Sequence, residues 1–336
     1  MNIGVLGAGS WGTALATVLA NRFAPMPVYI WTRDSQQLRD IQKHRENKRY
    51  LQGVDLPNSI HSVEGLQEFV YGVRDILIAL PSYAVVGMLK QMKPFLTKSH
   101  RLVCATKGLE PQSGRFFHEV VNKMLGFYCP YAVLSGPSFA KEVAQKLPTA
   151  VTIATDSAMF AKDLIKYFHS DVFRVYLNKD MVGVQLGGVV KNILAVAVGI
   201  SDGLNYGANA GAALITRGLV EMYRLGIALG ANSETLMGLS CVGDVILTCK
   251  DNKSRNRRFG LALAAGQTLE SAKSSIGQVV EATHNAAAIC RLAAKVGVKM
   301  PILMQVNLIL SNKTTPFYAA KSLVARSPTR EDVCTI

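Results

Sequence analysis

Five short segments of this chain carry residues whose type and spacing could do chemistry. The first is Gly7-Ala-Gly9-Ser-Trp-Gly12, placed after the apolar run Ile3-Gly-Val-Leu6 and ahead of an Ala- and Leu-rich stretch. A strand, a glycine-rich turn and a helix in that order suit a dinucleotide pyrophosphate. Gly7 permits the tight turn, Gly9 lets the backbone approach the phosphates, and Gly12 lets helix and strand pack closely. The helix N-terminus then offers free N–H groups to the anion. An ordinary tight turn between strand and helix is the plainer alternative. The second segment is Lys191, set with Asn192 in the apolar run 184–198. A lone lysine in such a helix either finds partners or snorkels out, and burial lowers its pKa. A lowered pKa suits proton exchange with an alcohol near neutral pH. Asn192 adds a neutral donor about 100° around the helix.

The third segment holds Asp244, in Cys241-Val-Gly-Asp-Val-Ile-Leu. It reads equally as the lysine's partner and as an N-cap for the helix that follows. The fourth is Ser254-Arg255-Asn256. Arginine offers a planar fork for phosphate, and Ser and Asn add neutral donors, so an anionic substrate fits; a solvated basic loop is the alternative. The fifth is Lys107, directly after Leu102-Val-Cys-Ala-Thr. That is the carboxyl edge of a parallel sheet, where ligands bind, although a surface lysine would look the same.

The elements that must position these residues divide the chain in two. The first part alternates strand and helix signals, with strands expected at 3–6, 28–32, 76–80, 102–106, 131–135, 150–154 and 173–176. Helical periodicity falls between them, for example over 35–44 and 83–95. Near-continuous apolar runs suit parallel strands covered on both faces. After residue 178 the strand signals stop. Helices are expected at 182–199, 208–229, 233–236, 245–249, 259–265, 283–296 and 301–310. Pro301 suits a first helical position, and Gly230, Gly266 and Gly297 suit helix ends. The expected fold class is therefore α/β, with a Rossmann-type parallel-sheet domain over 1–178 and an all-helical domain over 179–336. The last dozen residues read as a polar tail.

Composition narrows the class. Hydrophobic content of 49% in 336 residues describes a packed globular protein with room for two domains. The six cysteines form no CxxC pair and do not cluster with histidine, so they read as free thiols and a metal site is not expected. The apolar stretch 181–200 is interrupted by Gln185, Lys191 and Asn192, which suits a buried helix and not a membrane span. No leader is legible ahead of the first strand, so a cytoplasmic protein is expected. A net charge of +14 admits nucleic acid, acidic membrane or anionic substrate. The densest basic run, 250–258, lacks interleaved aromatic residues and any nucleic-acid module, so nucleic acid is not an expected partner. At the end of the second strand, Arg33 stands where NADP's 2′-phosphate would be read, while the neighbouring Asp34 keeps NAD open.

Taken together, the chain resembles the bacterial NAD(P)-dependent glycerol-3-phosphate dehydrogenases. The likeness rests on Gly7-Ala-Gly-Ser-Trp-Gly12, Ala105-Thr-Lys-Gly108, Ser135-Gly-Pro-Ser-Phe-Ala140, Val190-Lys-Asn192, Gly243-Asp244 and Ser254-Arg-Asn-Arg-Arg-Phe-Gly260, in the family's order. It spans essentially the whole chain. Two positions depart from the pattern: Leu80 precedes Pro81-Ser82 where valine is frequent, and Ala282 stands where glycine is usual. The resemblance implies reversible hydride transfer between NADPH or NADH, the former favoured, and C2 of dihydroxyacetone phosphate. The product is sn-glycerol 3-phosphate for phospholipid synthesis. It implies Lys191 as proton donor and acceptor, with Asp244 and Lys107 beside it. Substrate contacts would fall on Lys107, Gly136, Ser138, Lys191, Asp244, Ser254, Arg255 and Asn256. Cofactor contacts would fall on Ser10, Trp11, Arg33, Lys107, Ala140, Arg255, Val279 and Glu281. A β-hydroxyacid dehydrogenase and a cofactor-sensing binding module are the competing readings. The glycine-rich helices of the second half would pack within the chain or form a homodimer.

Overall fold

A computed structural model describes residues 3–328. Most of the expected polar tail, including Cys334, lies outside the described residues. The chain forms two compact units: residues up to Thr106 together with Phe117–Met181, and Lys107–Phe116 together with the residues from Val182 onward.

The first unit is an eight-stranded sheet: β1 Ile3–Leu6, β2 Val28–Trp31, β3 Ile60–Ser62, β4 Asp75–Ile78, β5 Arg101–Cys104, β6 Tyr131–Ser135, β7 Thr149–Thr155 and β8 Phe173–Asn178. Their order is β3-β2-β1-β4-β5-β6-β7-β8. The chain runs outward from β1 to β3, then returns to β1's other side with β4. The reversal opens a crevice at the carboxyl ends of β1 and β4, where such sheets bind ligands. Leu6 sits opposite both Trp31 and Ile78, so Gly7 leaves the middle of the sheet. All pairings are parallel except β6 with β7. That exception departs from the all-parallel expectation, and β3 was not expected at all. With three residues, one of them buried, β3 lacks the apolar run that marks the inner strands.

At the opposite edge of the sheet lies a buried ion network. Asp75 and Arg101 open β4 and β5 in register, and Arg101 Nε and Nη2 meet the two oxygens of Asp75 at 2.5 and 2.7 Å. Arg101 Nη1 reaches Asp163 at 2.7 Å, and Tyr167 donates to Asp75 Oδ2 at 2.6 Å. The guanidinium also lies over the Phe160 ring, 4.4 Å from its centroid. Phe160, Asp163 and Tyr167 recur at helical spacing on helix Ala158–Phe168, so one face of that helix closes the network.

The second unit is helical. Helix Met181–Gly203 runs through it with every residue from Gly183 to Ser201 buried. It is long and apolar enough to cross a membrane by composition, yet 89% of its most apolar window is covered by the protein itself. Helices Gly207–Ala228, Ser233–Leu236, Asp244–Lys250, Arg255–Ala264, Ala282–Lys295 and Pro301–Leu310 surround it, together with a π-helical turn at Leu239–Gly243. Gly230, Gly266 and Gly297 all adopt positive φ after helix ends, and Pro301 opens its helix. Helices Leu269–Ile276 and Pro316–Val324 were not expected.

Candidate active site

In the first unit the glycine-rich turn is open for an anion. Gly7 has φ +117, and a Cβ on Gly12 would lie 1.8 Å from Gly7 O, so only glycine lets this helix seat on the turn. No atom comes within 4 Å of a Cβ built on Gly9, which leaves its outer face clear. Helix Ser10–Phe23 has no side-chain cap and no acidic residue in its first turn. A positive helix end therefore faces that opening, as a pyrophosphate requires. The turn is braced from outside. Gln37 and Asn47 donate to Ala8 O at 2.5 and 2.9 Å, Ser10 Oγ donates to Tyr50 O, and Trp11 Nε1 donates to Ala105 O.

Arg33 is exposed at the end of β2. Asp34 is engaged on both oxygens: Oδ1 caps the next helix through Gln37 N, and Oδ2 pairs with Arg49 at 2.9 Å. Gly136, with φ +152, ends β6, and a Cβ there would press to 2.9 Å from Val151 Cα. Ser138 Oγ donates to Gly136 O, and Ala140 opens a short helix.

The second unit brings Lys107, Lys191 and Asp244 together. Lys191 Nζ donates to Asp244 Oδ1 at 2.8 Å, and Lys107 Nζ donates to Asp244 Oδ2 at 2.7 Å. Asp244 is therefore the lysine's partner, although it also starts its helix. Thr248, four residues along that helix, accepts from Lys191 at 3.1 Å. Sequence reasoning missed Thr248; its spacing of four from Asp244 was the available signal. Gly187 explains how the carboxylate comes so close. A Cβ there would lie 2.2 Å from Ser240 O, so its absence lets helix Met181–Gly203 press against the turn before Asp244. Burial lowers Lys191 to about 8; Asp244 opposes that shift and Lys107 adds to it.

Asn192 does not join this cluster. Its amide donates to Gly188 O and accepts from Asn256 Nδ2 at 2.9 Å, while Asn256 Oδ1 accepts Ala282 N–H. The pair ties three helices together, and each amide has a second hydrogen beyond these bonds. Ser254 Oγ caps helix Arg255–Ala264 by accepting from Arg257 N. Arg255 is partly buried, and Nη1 donates to the neutral amide of Gln278 at 3.1 Å. Burial lowers its pKa, with Glu281 opposing and Arg258 assisting. A desolvated guanidinium held by a neutral amide is suited to receive an anion. Arg257, by contrast, is committed to Asp202 at 2.6 Å and to Cys249 O. Val279 and Glu281 lie in the connection before helix Ala282–Lys295.

Comparison with known proteins agrees with this architecture. Residues 2–161 match the family model described as the NAD-dependent glycerol-3-phosphate dehydrogenase N-terminus, and 180–321 match its C-terminus. A glycerol-3-phosphate dehydrogenase [NAD(P)+] of Vibrio cholerae is 46% identical, covering 97% of this chain and 95% of the relative. One from Stenotrophomonas maltophilia is 48% identical, covering 96% and 94%. The crystal structure of glycerol-3-phosphate dehydrogenase from Coxiella burnetii superposes with a TM-score of 0.93 at 47% identity, covering 97% and 99%. The chain belongs to the NAD(P)-dependent glycerol-3-phosphate dehydrogenase family.

Proposed function

We propose that Lys191 carries the proton in the reversible reduction of dihydroxyacetone phosphate to sn-glycerol 3-phosphate. Two ammonium groups on one buried carboxylate carry this reading. The bound dinucleotide supplies or removes a hydride at C2. In reduction, the Lys191 ammonium stabilises the charge on the C2 oxygen and protonates it; in oxidation, the neutral amine takes that proton back. Asp244 holds the ammonium in place, Thr248 fixes its direction, and Lys107 keeps it ready to release. Arg255, with Ser254 and the second amide hydrogen of Asn256, receives the substrate phosphate, so binding at a remote group orients the reacting carbon. Gly136 and Ser138 complete the substrate contacts. Dinucleotide contacts are assigned, from the family resemblance, to Gly7, Gly9, Ser10, Trp11, Gly12, Arg33, Lys107, Ala140, Arg255, Val279 and Glu281.

We infer a preference for NADPH. Arg33 is exposed at the end of β2, whereas Asp34 already caps the next helix and pairs with Arg49, which reduces its pull on a ribose hydroxyl. We further take the enzyme as cytoplasmic and homodimeric, the exposed Tyr206, Met304, Phe317 and Tyr318 supplying apolar surface for a second copy. The decisive experiment follows reduced-cofactor absorbance with dihydroxyacetone phosphate. Lys191→Ala should lower kcat by on the order of a thousandfold while dinucleotide affinity, read by fluorescence, stays near the parent value. Normal turnover in that variant would remove Lys191 from the reaction.

A further inference from the structure

The segment Lys107–Phe116 follows β5 directly in the chain, yet it packs as part of the second unit. One face of helix Ala282–Lys295 fastens it. Asn285 is fully buried, and its Oδ1 accepts Leu109 N–H at 2.8 Å. Three residues on, Ala288 O lies 3.3 Å from the position of a Cβ on Gly114. Three further, Arg291 donates to Pro111 O at 2.6 Å. That spacing of three keeps all these contacts on one helix face. Arg291's bond is exposed to water, so the dry fastening is the one at Leu109. The rest of the segment closes on itself, with Glu110 N donating to Arg115 O and Gly114 N to Glu110 O. Its place in the second unit is thus set two residues from Lys107. At its other end the Asn285 amide donates to Glu281 O at 2.9 Å and to Glu281 Oε2 at 3.1 Å.

We propose that Asn285 is a positioning residue for the reaction: by bridging Leu109 and Glu281 it holds the Lys107 ammonium on Asp244 and the Glu281 carboxylate at the start of its helix. The inference rests on Lys191 being the proton carrier. A neutral amide suits the task because one group both accepts and donates, adding no charge beside the Glu281 carboxylate that it bonds. A leucine there would fill the space and leave Leu109 N–H buried without a partner. Once the segment is released, Lys107 no longer helps to lower Lys191's pKa, and Lys191 holds its proton to higher pH.

The test uses full-length enzyme carrying Asn285→Leu, Asn285→Asp or Lys191→Ala. It reads the pH profile of kcat for glycerol 3-phosphate oxidation, the KM for the dinucleotide, and amide hydrogen exchange over 107–116. Asn285→Leu should lower kcat on the order of tenfold. Its alkaline-rising limb should move up by about one pH unit, and exchange in the segment should quicken. Asn285→Asp keeps an acceptor for Leu109, so exchange over 107–116 should stay with the parent's while the dinucleotide KM rises, the new carboxylate facing that of Glu281. Parent-like behaviour of the leucine variant overturns the assignment. So does a loss of active enzyme with an unmoved limb, which would mark a structural role alone. Should the leucine variant fail to fold, quickened exchange over 107–116 in Asn285→Asp, which keeps the acceptor for Leu109, overturns it instead. Retained turnover in Lys191→Ala would sink the underlying reading; its loss beside a parent-like leucine variant would sink only Asn285's part.

Discussion

Each unit buries a cluster of charged side chains, and the two are built to opposite ends. In the first, Arg101 is matched by two carboxylates and a tyrosine hydroxyl, and almost none of it meets water. Burial alone would lower the guanidinium's pKa, but the bonds to Asp75 and Asp163 outweigh it and the value rises. In the second, one carboxylate serves two ammonium groups. There burial wins, and Lys191 drops to about 8. A buried cation with surplus anion is locked, whereas a buried cation sharing its anion is ready to lose a proton. Burial accompanies both; the type of cation and the ratio of its partners together decide how firmly the proton is held.

The comparison breaks most visibly at Asp244. Asp244→Asn leaves two ammonium groups facing a neutral amide, and kcat should fall on the order of a thousandfold. Residual glycerol 3-phosphate oxidation should then reach its plateau at lower pH than in the parent, because removing the anion favours the neutral amine. An upward displacement of that limb in a pH series would contradict the assigned balance of charges. In the first unit, Arg101→Met strips Asp75 of its cation and should cost about 3–5 kcal/mol in denaturant unfolding, with kcat per folded molecule unchanged. Pairing it with Asp75→Leu should recover part of that loss, since a dry apolar pair replaces a dry ion pair at little net cost while the bonds to Tyr167 and Asp163 stay lost.

Glu221 sharpens the comparison from a third side. It is buried, and its two oxygens accept the N–H groups of Ile302 and Leu303 at the start of helix Pro301–Leu310. Burial raises its carboxyl to about 7 despite those bonds and the more distant Arg217 and Arg326. The folded state therefore holds this proton more tightly than the unfolded chain. Stability from this group is present at acid pH and declines as pH rises from about 4.5 through 7, by on the order of 3 kcal/mol. Glu221→Gln should flatten that decline in unfolding curves taken across the same range. An unchanged slope would mean that the helix end neutralises the carboxylate fully.

Much of this was legible beforehand. The runs at 3–6 and 131–135 became strands with those very limits, and 35–44 and 301–310 became helices likewise, because each pairs a periodic or sustained apolar pattern with a clear start or stop; 233–236 is helical too, although it holds a single apolar residue. β3 and helix Leu269–Ile276 escaped notice because short, half-polar segments carry little periodicity. Lys191 stood out as a charge in an apolar helix with Asp244 as its partner or as a helix cap, and packing of the helices makes Asp244 the partner. Thr248 and Asn285 look ordinary in sequence; their importance comes from what lies 3 Å away. Asn192 gives its oxygen and one amide hydrogen to helix packing, which its place beside Lys191 in the chain could not show.

The route of the chain carries a consequence for how such proteins recombine. It changes unit after Thr106, after Phe116 and after Met181. A chimaera joined at the apparent boundary near 178 would transplant not only a nucleotide-binding half but also ten residues that belong to the recipient, among them an ammonium that neutralises the recipient's aspartate. Exchange of cofactor specificity between relatives is therefore not a one-cut operation: Lys107 and its loop must travel with helix Ala282–Lys295, so inheritance here is interleaved where the linear map suggests two blocks.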